Sequence, residues 1–199
     1  MLSSSFIKLM EVLPKPLVMK LAKMKVNGYM RKYAKINVKG LENIDKISGP
    51  KIFVCNHLSN SDGLVLNEVL KRYDPTFVAG VKLSNNPITS IGSMVVKKIS
   101  INPNTVDKDA IIKMMDILKS GNNLMIFPEG TRSRQGKMLE GKKGVLLVAK
   151  MSKATIIPIS MWGTEKLLPV NKDDNMATEE WNFSDVNVVI NKAVEIPKK

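Results

Sequence analysis

From about residue 50 onward, short apolar runs of strand length alternate with segments of helical periodicity, and this alternation constrains the fold more than any other feature. Runs 51–55, 76–79, 94–101, 124–127, 155–159 and 186–196 read as strands. Stretches 64–72, 106–119 and 144–151 read as helices. In the second of these, Ile111, Ile112, Met115 and Leu118 recur at helical spacing, and Gly121 supplies the C-terminal stop. Strands separated by helices predict an α/β sheet. Pro158 has no N–H to give to a ladder, so its strand is expected at an edge or with a bulge.

Residues 1–38 have a different character. Lys8, Lys15, Lys20, Lys23, Lys25, Arg31, Lys32 and Lys35 stand against Glu11 alone. Phe6, Leu9, Met10 and Leu13 share one helical face, and Leu17, Leu21 and Met24 share another, with Pro14 and Pro16 between them. Two short amphipathic helices of this kind are too charged to span a bilayer, which takes roughly 20 mostly apolar residues. They are expected to lie in the headgroup plane of an anionic membrane, ahead of an α/β domain over residues 39–199. Lys8 and Glu11 interrupt the first apolar run, which argues against a signal peptide.

The whole chain carries a formal net charge of +13, which favours an anionic partner. Aromatic residues make up only 5%, too few for the stacking platforms that bind single strands. On charge alone, a non-catalytic module that binds nucleic acid or membrane competes with an enzyme. The single cysteine, Cys55, ends an apolar run and reads as a buried structural thiol.

Two segments carry chemistry, and each follows a predicted strand, where α/β folds place their active groups. The first is Asn56-His57-Leu58-Ser59-Asn60-Ser61-Asp62. At ~100° per residue a continuous helix would set His57 and Asp62 far apart, so they meet only across a turn. Ser59, Asn60 and Ser61 are turn formers, and Ser61 or Asp62 suits the cap of the next helix. A neutral imidazole takes a proton from an attacking hydroxyl, and a carboxylate on its other nitrogen fixes the tautomer. The second segment is Phe127-Pro128-Glu129-Gly130-Thr131-Arg132-Ser133. Arg132 is suited to gripping a phosphate, with Thr131 and backbone amides as further donors, while Glu129 orders the loop through amides or pairs with a cation. Gly136-x4-Gly141-Lys142 resembles a phosphate-binding loop, but Lys143 stands where Ser or Thr is required. A lipid hydrolase using the same His57 and Asp62 with water is a further alternative, and the lack of a Gly-x-Ser-x-Gly elbow counts against it.

In this order and separation the two segments resemble the glycerolipid acyltransferase family of the PlsC type, the 1-acyl-sn-glycerol-3-phosphate acyltransferases. The first matches the family's Asn-His-x-Ser-x-x-Asp block, and the second its Phe-Pro-Glu-Gly-Thr-Arg-Ser block. Lys82, Leu83, Pro87 and Gly92 resemble a weaker second block; Ile157-Pro158-Ile159 with Gly163-Thr164 resembles a fourth. The resemblance implies a mixed, mostly parallel α/β sheet flanked by helices. It implies acyl transfer from acyl-CoA or acyl carrier protein to the sn-2 hydroxyl of 1-acyl-sn-glycerol 3-phosphate, giving phosphatidic acid. His57 is then the general base and Asp62 its partner, and Lys82, Glu129, Gly130, Thr131 and Arg132 form the acceptor's phosphate site. No metal or other cofactor is implied, and no nucleic acid. The expected location is a peripheral or monotopic one on the cytoplasmic face of a membrane. One departure stands out: the second block of the family ends in an Arg, and this chain has none between Lys97 and Asn104. Lys97 or Lys98 is the expected substitute, which leaves another lysolipid or sn-glycerol 3-phosphate open as acceptor.

Overall fold

Pro14 and Pro16 start the first helix, α1 (Lys15–Tyr33), and Arg31 and Lys32 occupy its last turn, where cations suit the helix dipole. A computed structural model describes residues 13–80, 95–102, 107–135, 137–171 and 179–194. The first predicted amphipathic helix therefore lies outside the described residues, apart from its last residue, Leu13. In α1 a stripe of Val18, Ala22, Val26 and Met30 is buried against the domain. The apolar face expected from the sequence is a different one: Leu17 and Met24 point away and are 42% and 62% exposed. Tyr29 fixes the far half of α1 by stacking on Trp181, with ring centres 5.6 Å apart.

The chain passes from α1 directly into β1 (Ala34–Lys39), so the boundary expected after residue 38 falls within this strand. A short helix α2 (Glu42–Asp45) leads to β2 (Lys51–Cys55). Then follow α3 (Asp62–Val69), β3 (Thr76–Gly80), β4 (Lys98–Ile101), α4 (Lys108–Lys119) and β5 (Leu124–Ile126). The remaining elements are α5 (Gly144–Ser152), β6 (Thr155–Trp162), α6 (Thr164–Leu167) and β7 (Ser184–Ile190). The strands form one sheet in the order β1-β7-β6-β2-β5-β3-β4. All pairs are parallel except β6 with β7. The mixed, mostly parallel α/β sheet expected from the sequence is thus present.

Residue alternation in the central strands builds two cores. Ile52, Leu124 and Ile156 pack with Met114, Met115 and Leu118 of α4 and Val148 and Ala149 of α5. Their neighbours Phe53, Met125 and Ile157 face the other way, toward Val26 and Met30 of α1 and Val65 and Leu66 of α3. Covered on both faces, these strands are apolar at consecutive positions rather than at every second one.

Pro158 sits opposite Val54, inside the sheet rather than at its edge. A bulge accommodates it. Ile159 pairs with Ile190 and Ile156 with Val194, so two intervening residues on β6 face three beyond β7. The Pro158 carbonyl still accepts from Asn191 N at 2.8 Å. Gly163 ends β6 at φ +95°, and a Cβ there would run into the Asp185 carbonyl oxygen. Gly163→Ala is expected to cost about 3 kcal/mol through combined backbone strain and overpacking. A thermal melt would read this as a Tm lowered by several degrees.

Candidate active site

Strands β2 and β5 are parallel neighbours, with Val54 opposite Ile126. The segments leaving their carboxyl ends therefore emerge side by side. Asn56 fixes the start of the first segment like a strand residue. Its Nδ2 donates to the Met161 carbonyl at 2.7 Å, and its Oδ1 accepts from Met161 N at 2.9 Å. The chain then turns through residues 57–61 and enters α3 at Asp62.

The turn brings His57 and Asp62 together. Imidazole Nδ1 lies 2.7 Å from Asp62 Oδ2. The same oxygen accepts from Leu58 N at 2.7 Å and Ser59 N at 2.9 Å. Ser61 holds the N-cap position of α3, but no side-chain capping bond forms. Asp62 instead reaches back to the amides before it. Two backbone amides and the imidazole therefore converge on one oxygen of a fully buried carboxylate. When that oxygen accepts from the imidazole as well, Nδ1 carries the ring proton and Nε2 has the basic lone pair. The ring plane is set by Phe127, stacked at 4.1 Å between centres and 16° between planes. The His57 side chain keeps 21% exposure.

The second segment closes onto the first. The His57 carbonyl accepts from Ser133 N at 2.7 Å, and His57 N donates to Glu129 Oε1 at 2.8 Å. Glu129 is 4% exposed, and its Oε2 accepts from Leu139 N at 2.9 Å. Both carboxylate oxygens of Glu129 thus accept backbone amides that knit the site loops, one of the two roles open to it in the sequence. Gly130 follows at φ +69°, and a Cβ there would lie 3.0 Å from the Lys142 ammonium. Lys142 N donates to the Pro128 carbonyl at 2.8 Å. The strap of residues 139–142 therefore lies against the loop. Thr131 is exposed, while the Arg132 side chain is only 17% exposed, with Nη1 3.7 Å from Glu179 Oε1.

His57, Asp62, Glu129, Gly130, Thr131 and Arg132 are all brought to this one end of the sheet. Lys82 lies outside the described residues. The expected substitutes for the missing Arg are elsewhere. Lys97 pairs with Asp74 at 2.8 Å, and Lys98 opens β4 opposite Phe77, so both sit at the amino end of that strand. Burial and the negative charges of Asp62 and Glu129 push the Cys55 thiol up, which fits a structural, protonated cysteine. Three contributors were not singled out as site residues: Asn56 as an anchor, Phe127 as a stacking platform, and Glu179. The first two lie inside the two motifs, where their side-chain types gave a signal; Glu179 has no local signature. Among the described residues no group of three His, Cys, Asp or Glu side chains converges as a metal site.

Fold and site define an α/β protein with a histidine–carboxylate pair at the carboxyl ends of two parallel strands. The chain belongs to the Acyltransferase family, whose model matches residues 35–162. It is 29% identical over 165 residues to a chloroplastic 1-acyl-sn-glycerol-3-phosphate acyltransferase of Arabidopsis thaliana, covering 81% of this chain and 44% of that protein. A 1-acyl-sn-glycerol-3-phosphate acyltransferase of Borreliella burgdorferi is 30% identical over 141 residues, covering 69% of this chain and 55% of that one. The chain thus spans about half the length of these relatives. The crystal structure of the acyltransferase PlsC from Thermotoga maritima superposes with a TM-score of 0.64 at 22% identity, covering 96% of this chain and 77% of that one.

Proposed function

We propose that this protein transfers a fatty acyl group from an acyl thioester to the sn-2 hydroxyl of 1-acyl-sn-glycerol 3-phosphate, giving phosphatidic acid. The observation that carries this reading is the buried carboxylate at 2.7 Å from the His57 ring, hydrogen-bonded into the same loop pair as Arg132. The names of the relatives support the acceptor. The donor is acyl-CoA or acyl carrier protein.

His57 Nε2 accepts the proton of the substrate hydroxyl as its oxygen attacks the thioester carbonyl. Asp62 compensates the imidazolium that forms. The tetrahedral intermediate then collapses, the C–S bond breaks, and the imidazolium returns the proton to the leaving thiolate. Ester and thiol are the products, and the protein is unchanged. Arg132 holds the acceptor's phosphate through charge-assisted hydrogen bonds, with Thr131, the backbone at Gly130, and Lys82 completing the grip. Holding the hydroxyl at the base replaces a search in solution, which accounts for a large part of the rate.

The outward face of α1 supplies the approach to lipid. Leu17, Leu21 and Met24 form an apolar stripe with Lys20, Lys25, Arg31 and Lys32 beside it, the pattern of a helix lying at a bilayer surface. Among the described residues no helix is long and apolar enough to cross a membrane. Replacing the two exposed residues of this stripe, Leu17→Glu with Met24→Glu, is expected to weaken binding to phosphatidylglycerol vesicles about tenfold. The melting temperature should hold, because neither side chain packs in the core. Cosedimentation with vesicles measures the first and a thermal melt the second.

The reading is tested by supplying oleoyl-CoA and a panel of lysolipids and following products by mass spectrometry. Phosphatidic acid from lysophosphatidic acid is the expected product. Salt-dependent binding to DNA or RNA with no new ester from any acceptor would overturn it.

A further inference from the structure

Glu179 belongs to neither motif, yet it touches both. Its carboxylate accepts from Asn60 Nδ2 at 2.8 and 2.6 Å, in the middle of the turn that joins His57 to Asp62. Its Oε1 lies 3.7 Å from Nη1 of Arg132 in the other segment. The Glu179 side chain is 2% exposed, and that of Arg132 17%. A carboxylate so deeply buried is costly unless a cation and hydrogen-bond donors compensate it. Arg132 and Asn60 supply both. Two residues on, Trp181 stacks against Tyr29 of α1, and Asn182 N donates to the Leu167 carbonyl at 2.9 Å. The chain that follows Glu179 is therefore anchored to both α1 and α6.

We propose that Glu179 is a positioning residue for the phosphate grip. It fixes the plane of the Arg132 guanidinium and ties that plane to the Asn60 turn, so that a phosphate held by Arg132 sets the acceptor's hydroxyl at His57. The proposal rests on the reading of Arg132 as the phosphate ligand. A guanidinium binds phosphate through a rigid planar fork, so a rotation of that plane costs affinity even though the charge remains. The donor thioester makes no use of this link.

The test is steady-state kinetics with oleoyl-CoA and 1-oleoyl-lysophosphatidic acid on four proteins: wild type, Glu179→Gln, Arg132→Ala and the double variant. Glu179→Gln is nearly isosteric and keeps an acceptor for Asn60. It is expected to raise the acceptor KM about tenfold, with kcat and the donor KM changed by less than about twofold. In the Arg132→Ala background the same change is expected to add nothing, because Glu179 acts through Arg132. Should Glu179→Gln fail to fold, Glu179→Asp keeps the charge and retracts it, and a rise of a few fold in acceptor KM is expected. A loss of kcat with both KM values unchanged would overturn the proposal, as would equal rises in acceptor and donor KM. An undiminished effect of Glu179→Gln without Arg132 would do so too. If Arg132→Ala itself leaves the acceptor KM unchanged, the phosphate reading of Arg132 falls and this inference with it. If Arg132→Ala raises that KM and Glu179→Gln does not, only the role of Glu179 is lost.

Discussion

His57→Ala is expected to lower the rate of acyl transfer about 10³-fold or more while leaving the protein folded. The chemical part follows from the hydrogen bonds. With Nδ1 paired to Asp62, Nε2 is the proposed base for the hydroxyl, and no other histidine exists in the chain to replace it. The structural part follows from what remains. The backbone of residue 57 still donates to Glu129 and accepts from Ser133, since neither bond involves the ring. The losses are the stack on Phe127 and the ring's hydrogen bond to Asp62, together about 2–3 kcal/mol, while Asp62 keeps its two backbone amides. Free thiol released from acyl-CoA in the presence of lysophosphatidic acid measures the rate, and a thermal melt measures the fold. Wild-type turnover in this variant would mean that another group activates the hydroxyl.

Asp62→Asn is expected to lower kcat by about 10²- to 10⁴-fold for a different reason. The asparagine carbonyl oxygen retains the place of Oδ2 and still accepts from Leu58 N, Ser59 N and Nδ1. What disappears is the negative charge that compensates the imidazolium in the transition state. The Nδ2 group falls where buried Oδ1 has no hydrogen-bond partner, so stability should also fall, by about 1–3 kcal/mol. The acceptor KM should change little, since Asp62 does not touch the phosphate. A variant that loses only acceptor affinity would place Asp62 in the binding site instead.

The strands, their α/β alternation and the two motifs were legible because each is a local pattern. Buried parallel strands make continuous apolar runs, and turn formers between His57 and Asp62 announce their own geometry. The antiparallel placement of β7 was not legible from periodicity, because pairing direction leaves no trace in it. Strand β1 was hidden for another reason: Ala34–Lys39 alternates lysine and asparagine with apolar residues inside a segment already dense in lysine. In α1 two stripes are apolar, and the sequence alone does not say that Val18, Ala22, Val26 and Met30 turn inward while Leu17 and Met24 turn out. Glu179 stands 119 residues from the asparagine it holds, a distance over which no spacing rule operates.

Strand β1 lies at the edge of the sheet and has β7 as its one neighbour. Helix α1 continues into that strand without a linker. Cutting the chain before Ser184 would strip β1 of its whole ladder and leave α1 hinged on side-chain contacts alone. The seating of α1, and with it the direction in which its exposed apolar stripe faces, is thus governed by a strand far downstream in the sequence, which also backs the strand that anchors Asn56.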